Sequence, residues 1–383
     1  MKESVLIQNK NRIKLNVNFL KKDLVFTISF FLAMASCFFQ SPKIEYLNFP
    51  VLISLLNLMI VIKAFEELKV LDKFAISILN KCNNSKAVSA ILILLCFFSS
   101  MLVTNDVALL TFVPLTLVIS RKTGMPMMET IILQTIAANI GSSLTPMGNP
   151  QNLFIYSYYG ITALPFFATV LIIAILGIIS LYIFIKRLDR KELSVEIPES
   201  NVNYPKTTII WGIVLIVIIA SIFGVISYKA AFIVTLITAV ILNRPLLFKI
   251  DYLLLLTFIC FFIFVGNISN TSVIHSLANA SLKDSESVYF HSILLSQFIS
   301  NVPASILLAE FTSNWKPLLL GVNIGGLGTI IASMASVISY KLYIQSNPSE
   351  GKKYLLKFSL YNFSFLAFLT LIPYLIFKIL KIF

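Results

Sequence analysis

Four polar clusters interrupt otherwise apolar stretches of this chain, and their residue types suit the handling of small ions. The first is Thr104-Asn105-Asp106, followed by Val107-Ala108. The second runs from Asn139 to Asn152 as N-I-G-S-S-L-T-P-M-G-N-P-Q-N, and offers Asn139, Gly141, Ser142, Thr145, Gly148 and Asn149 as candidate binding groups. The third is Ser300-Asn301 ahead of Val302-Pro303-Ala304, and the fourth is Asn323-Ile324-Gly325-Gly326 with Thr329 close behind. Two glycines and two prolines in the 14 residues of the second cluster cannot continue a regular helix. Thr104, Asn105 and Asp106 are helix-capping types placed before a fresh apolar run, and Pro303 suits a helix's first turn. A helix that stops and restarts exposes two kinds of group. Free N–H groups at the restarted N-terminus attract anions. Unwound carbonyls, with Asn and Thr side-chain oxygens, suit Na⁺ or a similar hard cation.

Asp106 is the carboxylate that falls in the middle of an apolar stretch. The other 16 acidic residues lie in loops or at segment ends, with Glu129, Asp251 and Glu310 the nearest approaches. An ionised Asp at the centre of a membrane helix costs roughly 2.5–3.5 kcal/mol on insertion scales, so its presence points to function. Two readings stand side by side: Asp106 caps the following helix, or it caps and also binds a proton or Na⁺. Asn105 and Asn301 have the same alternatives, and their matched settings favour a binding role. His275 and His291 flank the second hairpin and read as surface residues. Trp211 and Trp315 sit near segment ends as interfacial anchors.

The elements that position these clusters follow from composition. Of 383 residues, 58% are hydrophobic and 12% charged, against about a quarter charged in soluble domains. A soluble fold could not hide that much apolar surface. Helical spans are expected at 24–40, 47–65, 129–159 (broken), 163–185, 207–227, 230–243, 252–268, 316–343 (broken) and 354–380. Two further stretches, 87–120 and 287–313, carry the first and third polar clusters at their middles and read as hairpins. Glu66 to Cys82 is amphipathic and reads as lying along the inner interface. With the N-terminus inside and each hairpin returning to its own side, the inner segments hold 24 of the 30 Lys and Arg. That bias supports the threading, although two full crossings at 87–120 give the same parity. The expected organisation is an inner N-terminal segment 1–23, an N-terminal half 24–185, an inner linker 186–206 and a C-terminal half 207–383. The C-terminus falls outside, and the basic run leading into the apolar stretch from Leu24 reads as a retained anchor.

An internal repeat ties these pieces together. In each half a hydroxyl-Asn hairpin tip is followed by a span interrupted at Asn-Ile-Gly, and the two hairpins enter from opposite faces. The expected fold is therefore all-α and membrane-embedded. It has two inverted repeats, about 9–11 transmembrane helices, and two re-entrant hairpins with broken helices at the midplane, a pattern that points to secondary transport.

The stretches Thr104 to Ala108, Ala138 to Asn152, Ser300 to Ala304 and Gly325-Gly326-Leu327-Gly328-Thr329 resemble the ion transporter superfamily. That group includes divalent-anion/sodium symporters, citrate transporters, arsenite permeases and related sodium/proton antiporters. The resemblance covers nearly the whole chain. It implies a homodimer with scaffold and transport parts and elevator-type movement. In the symporter branch each tip carries Ser-Asn-Thr. Here the tips read Thr104-Asn105-Asp106 and Ser300-Asn301-Val302, and the Asn105-Asp106 pair is more like the arsenite and antiporter branches and brings proton coupling forward.

The expected function is a secondary active transporter for a small anion, a carboxylate or oxyanion such as citrate, a dicarboxylate or arsenite, coupled to H⁺ or Na⁺ in the inner membrane. A Na⁺/H⁺ antiporter is the alternative. An intramembrane enzyme fits poorly, because paired acids or acidic clusters are missing at depth, and a passive channel suits opposed repeats less well. The basic residues form no contiguous stripe for nucleic acid. Cys37, Cys82, Cys96 and Cys260 are scattered, with no C-x-x-C pairing and no disulfide or thiolate metal framework. No phosphate-binding G-x-x-x-x-G-K-[ST] segment occurs, so an ion gradient or a separate ATPase subunit must supply the energy. No cofactor is expected beyond a transported Na⁺ or H⁺, and the partners are the solute, lipid and a second copy of the chain.

Overall fold

A computed structural model describes residues 24–80, 82–192, 205–269 and 271–379. The segment 1–23, most of the linker 186–206 and the His275 side chain lie outside the described residues. The first half contains α1 (Leu24–Ser36), α2 (Phe49–Glu67), α3 (Val70–Leu79), α4 (Ser85–Val103), α5 (Asn105–Thr123), α6 (Met128–Ser142), α7 (Pro150–Tyr158) and α8 (Ala163–Lys186). The second half contains α9 (Pro205–Ile222), α10 (Tyr228–Asn243), α11 (Tyr252–Ser269), α12 (Ser272–Ser281), α13 (Ser285–Ile299), α14 (Asn301–Ala309), α15 (Trp315–Gly325), α16 (Met334–Ser346) and α17 (Gly351–Ile379). Among the described residues no strand forms beyond an isolated bridge between Asn84 and Glu192. Among the described residues seven helices are long and apolar enough to cross a membrane. The pairs α6–α7 and α15–α16 are each too short as single helices and run as broken spans.

Local sequence sets the helix ends. The Asn84 side chain accepts the Ala87 N–H at 2.9 Å and starts α4. Asp284 does the same for α13 through the Ser287 N–H at 2.7 Å. α5 closes on Arg121 and Lys122, which complement the negative end of its dipole. It stops at Gly124, whose left-handed φ of 68° suits a residue without a Cβ.

The first hairpin returns to the face from which it starts. Its base, Ser85, lines one cleft together with Met125 to Thr130, so both arms begin and end at the same face. Its tip meets the break between α6 and α7, where the Asn105 N–H donates to the Gly148 carbonyl at 3.1 Å. The repeats are inverted about α8. The Ser85 N–H donates to the Lys191 carbonyl at 2.8 Å, just beyond the end of α8. At the other end of α8, the Tyr159 hydroxyl donates to the Thr312 carbonyl at 2.7 Å, at the base of the second hairpin. α8 has 24 residues and is about 36 Å long, so the two hairpins open on opposite faces.

The buried side chains form two large clusters. One joins α3 to α6, α8, α13 and α15 to α17; the other joins α2, α7, α9 to α11, α14 and α15. Two expectations are corrected here. Trp211 is a core residue of α9 at 1% exposure and not an interfacial anchor, because the neighbouring helices cover that face. His291 lies within α13, the first arm of the second hairpin, with Nδ1 2.7 Å from the Ser287 carbonyl oxygen; it does not flank the hairpin. One helix was not anticipated: α12 precedes the second hairpin as α3 precedes the first.

Candidate functional site

Each hairpin turns on one residue in a backbone conformation that L-residues avoid. Thr104 has φ 73° and ψ 153°, and Ser300 has φ 72° and ψ 155°. This region belongs almost entirely to glycine and costs about 1–3 kcal/mol elsewhere. The same strain at both tips shows that the surrounding packing imposes it twice. Each tip is followed at once by a buried Asn that opens a helix. Asn105 donates from Nδ2 to Asn139 Oδ1 at 3.0 Å, and its own Oδ1 accepts the Asp106 N–H at 3.0 Å. Asn301 packs beside Gly326, where an added Cβ would come within 2.8 Å of its Nδ2.

The broken helices repeat one plan. Gly141 lets α6 press on α4, since a Cβ there would lie 2.1 Å from the Phe97 carbonyl oxygen and 2.6 Å from Ser100 Oγ. Gly325 does the same on α13, with Ser296 Cβ and Oγ both 2.7 Å away. Ser100 and Ser296 each stand four residues before their tip. Six residues after each break Asn comes a threonine. The Thr145 hydroxyl donates to the Met101 carbonyl, and the Thr329 hydroxyl donates to the Gln297 carbonyl at 2.9 Å. Met101 and Gln297 each stand three residues before their tip. Gly148 is held against the Ser142 backbone, with only 2.2 Å between a would-be Cβ and the Ser142 carbonyl oxygen.

The two halves then cross. Asn149, the cap of α7, donates to Asn323 Oδ1 at 3.1 Å and to Ser142 Oγ at 3.2 Å. Ser333, which begins α16, donates to Asn139 Oδ1 at 3.0 Å. Asn139 Nδ2 reaches the Gly326 carbonyl at 3.4 Å, and the Ser300 hydroxyl reaches the Ala332 carbonyl at 3.3 Å. Of the residues singled out from the sequence, Asn105, Asn139, Gly141, Ser142, Thr145, Gly148, Asn149, Asn323 and Gly326 thus belong to one buried network. Ser300, Asn301, Gly325 and Thr329 complete it from the second hairpin. Thr104 and Asp106 face a cavity beside it.

That cavity has a volume of about 230 Å³ and lies between α2, α11 and the first hairpin. The N-termini of α5, α7 and α16 reach it through Asp106, Pro150 and Met334, and Lys63, Glu66, Lys249 and Asp251 also line it. Lys63 pairs with Glu66 at 2.9 Å, and Lys249 pairs with Glu67. Asp106 Oδ1 is shielded from solvent and has no hydrogen-bond partner. Three positive helix ends and the unpartnered Asp106 Oδ1 therefore share one small space, with the Asp251 carboxylate also at its wall. Among the described residues no group of three or more His, Cys, Asp or Glu side chains is placed to hold a metal ion.

Asn152, Gln297 and Ser333 also belong to the network and were not singled out. Asn152 Oδ1 accepts from Asn323 Nδ2 at 2.7 Å. Extending the repeat ten residues beyond each break Asn pairs Asn149 with Ser333 and would have exposed Ser333. Asn152 lay inside the second polar cluster, whereas Gln297 carries no local signal.

Two inverted, broken repeats meeting at a buried polar centre are the organisation of a secondary transporter. The chain matches the CitMHS citrate transporter family over residues 20–320 and belongs to that family. It is 38% identical over 293 residues to the uncharacterized transporter MJ0456 of Methanocaldococcus jannaschii, covering 76% of this chain and 79% of that protein. It is 27% identical to the inner membrane protein YbiR of Escherichia coli, covering 86% and 87% of the two chains. Its fold is similar to the YdaH transporter of Alcanivorax borkumensis, with a TM-score of 0.57, 14% identity and coverage of 94% and 89%. The protein is an integral membrane transporter and not an enzyme.

Proposed function

We propose that this protein moves a small anion, a carboxylate or oxyanion, across the inner membrane, coupled to H⁺ or Na⁺. One observation carries this reading: the N-termini of α5, α7 and α16 reach a cavity in which Asp106 Oδ1 has no partner. Helix N-termini favour an anion. An ionised Asp106 opposes one until a proton or cation neutralises it, and that mutual requirement is coupling. The protein works in this reading as a homodimer, with α1, α2 and α9 to α11 as scaffold and the two hairpins and broken helices moving as an elevator. In this reading the N-terminus lies inside and the C-terminus outside, which the Lys and Arg distribution supports.

Exchange of Na⁺ for H⁺ is the second reading, and Asp106 favours it as the carboxylate over which two cations would compete. Both readings meet the same test. Purified protein in liposomes is given labelled citrate, dicarboxylates and arsenite under an imposed H⁺ or Na⁺ gradient, alongside an internal pH dye. Uptake of one anion that follows the gradient, and is lost or uncoupled in Asp106→Asn, supports the anion reading. Internal pH change on adding Na⁺, with no anion moved, supports exchange. Normal gradient-driven uptake by Asp106→Asn reduces Asp106 to a helix cap.

A further inference from the structure

Helix breaks in a membrane leave carbonyl oxygens that need a donor or a cation. In this chain both breaks are filled from within. Asn152 is fully buried on α7, and its Nδ2 lies 3.3 Å from the Ser142 carbonyl, 3.0 Å from that of Ser143 and 3.1 Å from that of Thr145. Gln297 sits on α13, and its Nε2 lies 2.8 Å from the Gly325 carbonyl, 3.0 Å from that of Leu327 and 3.2 Å from that of Ile293. In each case one amide nitrogen stands among main-chain oxygens of the break, three for Asn152 and two for Gln297, whose third neighbour is the Ile293 carbonyl within α13.

The orientation of both amides is fixed by their partners. Carbonyls only accept, so the atom facing three of them must be the nitrogen. The opposite end agrees, since Asn152 Oδ1 accepts from Asn323 Nδ2 at 2.7 Å and Gln297 Oε1 accepts the Thr329 N–H at 2.9 Å. The repeat does not explain the coincidence. The position matching Asn152 is Ser336, whose buried hydroxyl has no partner, and the position matching Gln297 is Met101. Each break has therefore recruited an amide from a different element, and both reach the same arrangement.

We propose that Asn152 and Gln297 seat their amide nitrogens where unwound carbonyls would otherwise coordinate a metal cation. Neither break then binds Na⁺, and both hold their half-helices in place without it. These are positioning residues: they set where α7 and the chain leading into α16 begin. Taken with the proposed transport function, on which this consequence rests, coupling falls to Asp106 and its proton and not to Na⁺ held at the breaks.

The test compares thermal unfolding of the purified protein in sodium chloride and in choline chloride at equal ionic strength. Wild type is expected to unfold at the same temperature in both. Asn152→Asp and Gln297→Glu keep the side-chain shape but turn a second oxygen toward three carbonyls, an arrangement that needs a cation between them. Each variant is expected to unfold earlier than wild type in choline and to be restored specifically by Na⁺, which loss of packing alone would not produce. A Na⁺-specific rise in stability that persists in Asp106→Asn would overturn the proposal, as would variants as stable as wild type in choline. If either variant fails to fold, the wild-type comparison and the other variant decide. A second arm follows solute uptake with choline replacing Na⁺ on both sides, where the wild-type rate is expected to be unchanged. Absence of uptake under every gradient would sink the transport reading alone, because the unfolding comparison needs no substrate.

Discussion

Asn149 and Asn323 lie 174 residues apart and share a hydrogen bond of 3.1 Å at the centre of the molecule. The bond has a mirror: Ser333, in the position matching Asn149, donates to Asn139, in the position matching Asn323. Each half-helix cap is thus tied to the break of the other repeat. Displacing one repeat alone would break both bonds, so the two breaks hold together as one unit.

Removing Asn323 should therefore disturb both halves. Asn323→Ala leaves Asn152 Oδ1 unpaired and removes one partner of Asn149, and an unsatisfied buried group costs about 1–3 kcal/mol. A double-mutant cycle with Asn149→Ala, read by thermal unfolding in detergent, should show coupling of about 0.5–3 kcal/mol. Additive losses would mean that the bond contributes nothing of its own.

Glycine at the helix contacts gives a graded expectation. Gly141→Ala places a Cβ 2.1 Å from a backbone oxygen of α4 and should cost at least the 1–3 kcal/mol or so typical of overpacking. Gly325→Ala meets mainly the Ser296 side chain and should cost less. Gly212→Ala in α9 meets nothing within 4 Å and should be neutral or stabilising by roughly 0.5–1 kcal/mol. The order of the three unfolding temperatures checks the packing of α6 on α4 and of α15 on α13.

The hairpin tips should prefer glycine to alanine. Thr104→Ala keeps the positive φ that a Cβ resists, and Thr104→Gly relieves it, so the glycine variant should unfold later by the equivalent of about 1 kcal/mol. Ser300→Gly and Ser300→Ala should behave alike because the torsions match. Equal stability within either pair would show that the turn relaxes when the side chain changes.

Asp284 gives the second hairpin a dependence on pH. The hydrogen bonds that its exposed carboxylate accepts from Ser287 hold it below the usual Asp range. A lowered value means that the cap is present above the unfolded-chain value near 3.9 and is lost as pH falls through the lower, folded one. Amide exchange at Ser287, whose N–H the carboxylate accepts, should stay slow until that acid range is reached. Asp284→Asn, which caps without titrating, should remove the dependence.

Much of this architecture was legible along the chain. The N-I-G-S-S-L-T-P-M-G-N-P-Q-N run breaks a helix wherever it is placed, because its glycines and prolines act locally. The apolar spans are fixed by the water–lipid partition of the residues themselves, so the observed α8 and α11 lie within a residue or two of the expected bounds. Trp211 was misplaced because proximity to a span end says nothing of which neighbours cover it. α12 was missed because its 10 residues are too short to cross a membrane, although it is as amphipathic as α3.

The sequence alone determined where helices run, where they break, and that the breaks come in two related sets, since propensity and hydrophobic partition act over a few residues. Only the tertiary structure decided that the tip of the first hairpin meets the break between α6 and α7, because charge parity says nothing of contacts. It alone decided that Asn149 meets Asn323 and that Asn152 and Gln297 fill the breaks. Those choices depend on hydrogen bonds about 3 Å long between groups as many as 174 residues apart, and no local preference specifies which distant partner a buried amide will find.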